Sequence, residues 1–492
     1  MARLHHLPPS AACLSASLRD LGYSLETAVA DLIDNSISAD ATDIQIFCDI
    51  NRIAPVLVIA DNGCGMTEGE MIVAMRHGST DPRKKRGLND LGRFGLGLKT
   101  ASFSQCRRLT VVSAVNGERT GAEWNLTKIE EEDDWFISVL EPDEIAEHPF
   151  IETLGDTGTL VIWRDLDRLF EDEVGQKRDE IVNEKLAVVE KHLALVFHRF
   201  LAGEVGGRRK LSIHINGHQV AAFDPFCRKN EATQMLCEEK VWIGDVSVVM
   251  QPYILPHHSR LSASEWDYYQ DRSDFISNQG AYVYRNGRLM AWGDWFRLVP
   301  KGESTKLARV QIDFPNSLDE AWTIDIKKSR ARPPHTVREQ LRRIISQITA
   351  RSVTVHRGRG QKLFQETQAP IWERFADHGG IRFAINAEHP LVASLSARLA
   401  TADAASLHVL LDSIAAALPV EMIYSDYSTH PREVSQLAAD KDQALDRLKC
   451  LKQALYGDHP GDSQAFLQIV QSTRLFEGQI ETAEEFIAEA FV

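Results

Sequence analysis

The sequence predicts an α/β (α+β) protein: an N-terminal two-layer sandwich, a second α/β domain and a mainly helical C-terminal region. Three observations carry this. Apolar residues at helical spacing over 15–41 give way to short apolar runs of strand length. An amphipathic stretch from about Asp179 to Leu201 is followed by more strand-length runs, and Ala/Leu-rich stretches occupy 391–418 and 440–455. Helices ahead of a mixed, largely antiparallel sheet give a two-layer sandwich.

In order along the chain, Leu18, Leu21, Ala28, Leu32 and Ile33 mark the first helical stretch. Ile44–Phe47, Val56–Ala60, Leu109–Ser113, Gly121–Leu126 and Gly158–Trp163 read as strands. The acidic Glu130–Asp134 reads as a solvated hairpin tip. Ile181, Leu186, Val189, Leu193, Val196 and Phe197 stripe the long helix. Strands are expected at Leu211–Ile215, Val241–Met250 and Val310–Phe314. Asn216-Gly217 and Asn286-Gly287 are turn signals, the second hinging two strands between Gly280 and Met290. A helix opens after Pro333-Pro334. The expected domains are 1–170, 171–345, a basic linker at 346–362 and a helical region at 363–492.

Composition narrows the class. With 43% apolar and 25% charged residues the chain reads as an ordinary globular protein. No apolar run approaches the roughly 20 residues that span a bilayer, and Met1–Ala11 lacks the apolar core of a secretory signal. Seven cysteines without metal-ligand spacing read as reduced thiols, so a cytoplasmic location is expected. The net charge of −15 argues against a surface coated in nucleic-acid contacts. Lys327–Lys362 departs from that balance, with eleven Lys or Arg against the single acid Glu339.

Three segments carry chemistry: Asp31-Leu-Ile-Asp-Asn35, Asp61-Asn-Gly-Cys-Gly-Met66 and Gly92-Arg-Phe-Gly-Leu-Gly-Leu-Lys-Thr100. Asp31 and Asn35, four residues apart, share a helix face. Such a pair offers an oxygen ligand for a hard cation and a carboxylate that can activate water. Asp34 projects from a different face. Asp61 ends a buried strand, and Gly63 and Gly65 allow close backbone approach. Gly92, Gly95 and Gly97 free backbone N–H groups to face phosphate oxygens, with Arg93, Phe94 and Leu96 between them. Lys99 adds a point charge. Arg83–Arg86, in the stretch Gly78–Gly87, either meets phosphates or is simply solvated.

In this order the segments resemble the GHKL superfamily: the gyrase B subunit, the ninety-kilodalton heat-shock chaperone, histidine kinases and MutL proteins. The resemblance is specific over 20–165 and looser over 1–345, where Leu193–Phe200 and Tyr282–Leu289 look like Microrchidia-type ATPases and their bacterial relatives. It implies a GHKL ATP-binding sandwich followed by a transducer domain. It also implies binding of ATP and Mg2+, with Asn35 as metal ligand and Asp31 as the catalytic base. The family carboxylate is Glu, so Asp31 is shorter by about 1.5 Å, one carbon–carbon bond. Resemblance assigns Asp61 to the adenine amino group, Met66 to the purine face, Thr159 to a water-mediated adenine contact and Gly78–Gly97 to a lid. It gives Lys328, with Lys327 as alternate, the role of a transducer lysine on the γ-phosphate.

The expected function is an ATPase that dimerises on ATP and acts on nucleic acid through Lys327–Lys362, or on a partner protein through the C-terminal region. Bacterial relatives of this look work in DNA maintenance or defence. A nucleotide-gated adaptor with little turnover is the alternative. A protein histidine kinase fits less well, because His5 and His6 lie in a short Pro-bounded segment that cannot supply a phosphoacceptor helix.

Overall fold

Two N-terminal helices replace the single expected stretch. Helix α1 (Ala11–Arg19) is capped by Ser10, whose Oγ accepts the Cys13 N–H. Gly22, at φ 72°, separates it from α2 (Leu25–Ser38). Helix α2 buries Leu25, Ala28, Val29, Leu32, Ile33 and Ile37. Each larger apolar side chain so buried contributes about 1.5–3 kcal/mol, which makes α2 a rigid platform. The computed structural model describes residues 5–169, 176–324, 331–348 and 371–491, apart from positions 6, 8, 21, 51–54, 79–86, 88–89, 93–96, 257–259, 263, 266–267, 270–277, 303–304, 378–379, 388, 421, 424–440, 458, 460, 473–475 and 477–478. The chain divides into two units, Met1–Thr349 and Ala350–Val492.

In the first unit, strands β1 (Asp43–Asp49), β2 (Val56–Asp61), β3 (Arg108–Val115), β4 (Glu118–Asn125), β5 (Ser138–Val139), β6 (Gly158–Arg164), β7 (Ser212–Ile215) and β8 (His218–Gln219) form one sheet, ordered 5-4-3-6-2-1-7-8. All pairs are antiparallel except β1 with β7. Helices α1, α2, α3 (Glu68–Met75), α4 (Gly97–Phe103) and α7 (Gln176–Val196) contribute to the main core with the sheet. A second apolar layer, including Val58, Val112 and Ile162 with Ile145 and Leu154, seals the opposite face. Helix α6 (Pro142–Ala146) contributes Ile145 to it.

This topology corrects the expected boundary at residue 170. Helix α7 packs on α2, and β7 pairs with β1 from Asp43↔Ser212 to Ile46↔Ile215. The N-terminal core therefore extends to Phe223. The long helix is also split: α7 ends at Val196 and α8 covers His198–Ala202. Glu130–Asp134 is solvated as expected, but it closes helix α5 (Leu126–Glu132) rather than a hairpin. Asn125 caps α5 by accepting the Thr127 N–H.

The second sheet contains β9 (Gln234–Met235), β10 (Glu239–Ile243), β11 (Val246–Ile254), β12 (Gly280–Arg285), β13 (Arg288–Asp294) and β14 (Ala308–Phe314). The expected single strand Val241–Met250 is two strands, β10 and β11, turning at Gly244 with φ 59°. At the β12–β13 turn Asn286 and Gly287 have φ 50° and 83°, the left-handed pair that a two-residue hairpin loop requires. A helix over 335–348 packs Val337, Leu341, Ile344, Ile345 and Ile348 on this sheet and leaves Arg338, Arg342 and Arg343 exposed. A short pair, β15 (Thr323–Ile324) and β16 (Ala331–Arg332), precedes it.

The second unit opens with an unexpected hairpin, β17 (Trp372–Asp377) and β18 (Gly380–Ile385). Helices follow at Pro390–Arg398, Thr401–Ala416, Lys441–Tyr456, Ser463–Ser472 and Ile480–Ala490. The mixed α/β content, the large sheet and this helical region match the expected fold class. Among the described residues no helix is long and apolar enough to cross a membrane.

Candidate nucleotide site

The first two motifs meet at the end of α2. Ser36, one residue after Asn35, donates through Oγ to Asp61 Oδ2 at 2.7 Å. The other Asp61 oxygen accepts the Gly63 N–H at 2.9 Å. Burial pushes the Asp61 carboxyl above its usual range, against the opposing pull of Ser36, Gly63 and Thr159. A half-buried acceptor that gains from further N–H donors is suited to an exocyclic amine.

Asp61 belongs to a polar row across three neighbouring strands. Thr159 on β6 is in register with Asp61 on β2 and with Ser113 on β3. Ser113 and Thr159 hydroxyls lie 3.0 Å apart. Ser113 Oγ also donates to the Gly158 carbonyl at 2.8 Å and accepts the Met66 N–H at 2.9 Å. Ser113 thus fixes the loop that carries Met66, a role sequence reading missed. The available signal was a hydroxyl closing the apolar run Leu109–Ser113. Met66 itself is half-buried against the core.

Two glycines here are required by close approach. A Cβ on Gly65, at φ 73°, would lie 2.0 Å from the Ala114 carbonyl oxygen. A Cβ on Gly158, at φ 141°, would lie 2.1 Å from that of Asp61. Gly63 is also tight, with Ala39 Cβ 2.9 Å from its Cβ position.

On the motif helix, Asn35 is exposed and Asp31 is only 2% exposed. Tyr23 OH donates to Asp31 Oδ2 at 3.0 Å, orienting the carboxyl. A Cβ on Gly97 would sit 3.6 Å from that same oxygen, so the start of α4 abuts Asp31. Asp34 points elsewhere, pairing at 3.1 Å with Arg288 of β13. Tyr23, eight residues ahead of Asp31, had no motif to flag it.

The third motif is described only in part. Gly92 donates its N–H to Asp90 Oδ1 at 2.7 Å. Arg93, Phe94, Gly95 and Leu96 lie outside the described residues, as do most of Gly78–Gly87 and both Lys327 and Lys328. Lys99 has a different partner from the one expected. Its Nζ is buried and donates to the Ala74 carbonyl at 2.8 Å, closing the end of α3. Burial pushes its pKa down to about 8. Nearby, His77 packs among Phe103, Trp124 and Trp135, and burial, with Lys99 adding, pushes it down to about 4.

Two predictions arise from this geometry. Asp61→Asn turns an amine toward the position of the adenine donor and is expected to weaken ATP binding by about 1.5–3 kcal/mol, the worth of a charge-assisted hydrogen bond. Unchanged affinity by titration calorimetry removes Asp61 from adenine recognition. Lys99→Met is expected to leave ATP affinity within about threefold, since a loss near tenfold corresponds to 1.4 kcal/mol of direct contact. A tenfold or larger loss restores the phosphate role to Lys99.

Residues 23–157 match the family described as histidine kinase-, DNA gyrase B-, and HSP90-like ATPase. The chain is 36% identical over 92 residues to ATPase morc-1 of Caenorhabditis elegans, covering 18% of this chain and 10% of that protein. It is 29% identical over 108 residues to the chaperone protein HtpG of Salinispora arenicola, covering 20% and 17%. Similarity to the DNA mismatch repair protein MutL of Colwellia psychrerythraea is 36% over 96 residues, covering 19% and 14%. The chain thus spans between 10% and 17% of the length of these curated relatives.

Proposed function

We propose that residues 23–157, which belong to the histidine kinase-, DNA gyrase B-, and HSP90-like ATPases, make this chain an ATP-binding and ATP-hydrolysing conformational machine. The observation that carries the reading is the convergence of the motifs. Ser36 ties the motif helix to Asp61, and Gly97 abuts Asp31. Asp61 and Thr159 would receive the adenine, and Met66 would lie against the purine. Exposed Asn35 has the hard oxygen that would hold magnesium without adding charge beside a triphosphate. Magnesium, when bound, neutralises charge on the phosphates. Asp31 would take the proton of the attacking water, with Tyr23 fixing its carboxyl. Gly92–Gly97 would cradle phosphates, and Lys328 remains the proposed γ-phosphate contact from the second domain.

Arg338 and Arg342, exposed one helical turn apart with exposed Arg343 beside them, support nucleic acid as the client, because arginines so placed can track a phosphate backbone. A partner protein at the C-terminal unit is the competing client. The seven free cysteines fit work in a reducing cytosol. Asp31, where the resembling families carry Glu, keeps the low-turnover adaptor as the second reading.

ATP is expected to drive homodimerisation and to raise affinity for DNA. Light scattering of an Asp31→Ala chain should give a dimer with ATP and a monomer with ADP or without nucleotide. The same mass in all three states removes the switch. A gel shift at near-physiological salt should be weakened at least tenfold when Arg338, Arg342 and Arg343 become Glu, with little sequence preference. No nucleic-acid binding in any nucleotide state leaves the protein client. Phosphate release over many turnovers, absent in Asn35→Ala, separates the ATPase from the adaptor.

A further inference from the structure

One hairpin of the second sheet holds two separate parts of the nucleotide site. Arg285, at the end of β12, is 1% exposed. Its Nε and Nη2 donate to the two carboxylate oxygens of Asp319, both at 2.7 Å. Its Nη1 crosses to the N-terminal region and donates to the Leu91 carbonyl at 2.9 Å. Arg288, three residues on, pairs with Asp34 of α2. Asn316 adds a third link, donating through Nδ2 to the Gly87 carbonyl at 2.9 Å while its N–H meets Asn286 Oδ1 in the hairpin turn.

The Leu91–Gly92 peptide is therefore held on both edges. Its carbonyl accepts from Arg285, and its N–H donates to Asp90 Oδ1. A peptide unit is planar, so its two edges turn together. If the Gly92 N–H swings from Asp90 toward a phosphate, the Leu91 carbonyl must swing off Arg285. Nucleotide binding then changes what Arg285 touches, and only such a differential contact can move an equilibrium. Asp319 keeps hold of the guanidinium on the other side, so the change is passed into β12.

We propose that Arg285 is a positioning residue that reports occupancy of the phosphate loop to the second sheet through the β12–β13 hairpin, with Arg288 tethering the same hairpin to the motif helix. This rests on the ATP reading above. It adds a route between the two regions that does not depend on Lys328.

Hydrogen exchange on the full chain, with and without a non-hydrolysable ATP analogue, tests it. In the unsubstituted protein the analogue is expected to change exchange of the 280–294 amides at least threefold. Arg285→Lys keeps the cation but loses the planar fork that spans carbonyl and carboxylate. It is expected to bind the analogue within threefold by calorimetry and to lose the hairpin response. A merely structural anchor would lower the melting temperature and leave the response intact. Should Arg285→Lys not fold by circular dichroism, Asp319→Asn loosens the guanidinium from its far side and is expected to lose the same response. A variant that folds, binds and keeps the full response overturns the proposal. So does an unsubstituted protein that binds the analogue without a change at 280–294. An unsubstituted protein that binds no analogue overturns the ATP reading itself, and the proposal with it.

Discussion

Asp31→Ala is expected to bind ATP as the unsubstituted protein does while turnover falls by about 10²–10⁴-fold, the range for removing a general base when chemistry limits the rate. Three features of the site select Asp31. It lies one turn from Asn35, so the proposed metal ligand and the proposed base share a face of α2. Its carboxyl is oriented by Tyr23 and lies against Gly97 at the start of α4. The neighbouring carboxylates are engaged elsewhere: Asp34 with Arg288, and Glu26 with the Ser24 hydroxyl at 2.6 Å. Multiple-turnover phosphate release checks the rate, and calorimetry checks binding. Asp31→Glu is the informative companion. A faster enzyme means the short arm limits the reaction; an unchanged one means the base already reaches. Normal hydrolysis by Asp31→Ala shifts the role to another group.

How far the site was legible depends on whether its signal is local. The motif helix was legible because Ala28, Leu32 and Ile33 bury at helical spacing, and that pattern leaves Asn35 outward. Asp61 was legible as the polar end of an apolar strand, and the Asn286-Gly287 turn through its demand for two left-handed residues. The pairing of β1 with β7 was not, because it joins residues about 170 positions apart and no local pattern chooses a strand's partner. Gly22 and Gly244 broke apolar runs that periodicity alone joined. The β17–β18 hairpin was missed although Gly379-Gly380 is a turn signal beside it. Ser113, Tyr23 and Arg288 act through partners set by tertiary packing, so their identity carried no message until the fold placed them. Lys99 shows where a local signal and a tertiary contact part. A lysine beside glycines invites a phosphate, yet its chain turns inward to Ala74.

Arg288→Ala is expected to destabilise the first unit by about 3–5 kcal/mol, the loss found when one partner of a buried ion pair is removed. The pair is well enclosed: the side chains of Arg288 and Asp34 are 5% and 0% exposed. Removing the guanidinium takes the Arg288 charge away from the buried Asp34 carboxylate, which is the larger part of the effect. The Arg288 Nη1 bond to the Leu289 carbonyl, at 2.9 Å, is lost as well. Because the pair joins α2 to β13, the loss should fall on the contact between the ATP-binding core and the second sheet, and the first urea transition of the full chain is the place to read it. A double substitution, Asp34→Leu with Arg288→Met, separates the two parts of the effect. It removes both charges and fills the space with apolar atoms, so most of the stability should return. If Arg288→Ala shifts the transition by less than about 1 kcal/mol, the pair is no better than a surface one. If the double variant is as unstable as the single one, packing of the long arginine stem, rather than the charge pairing, joins the two regions.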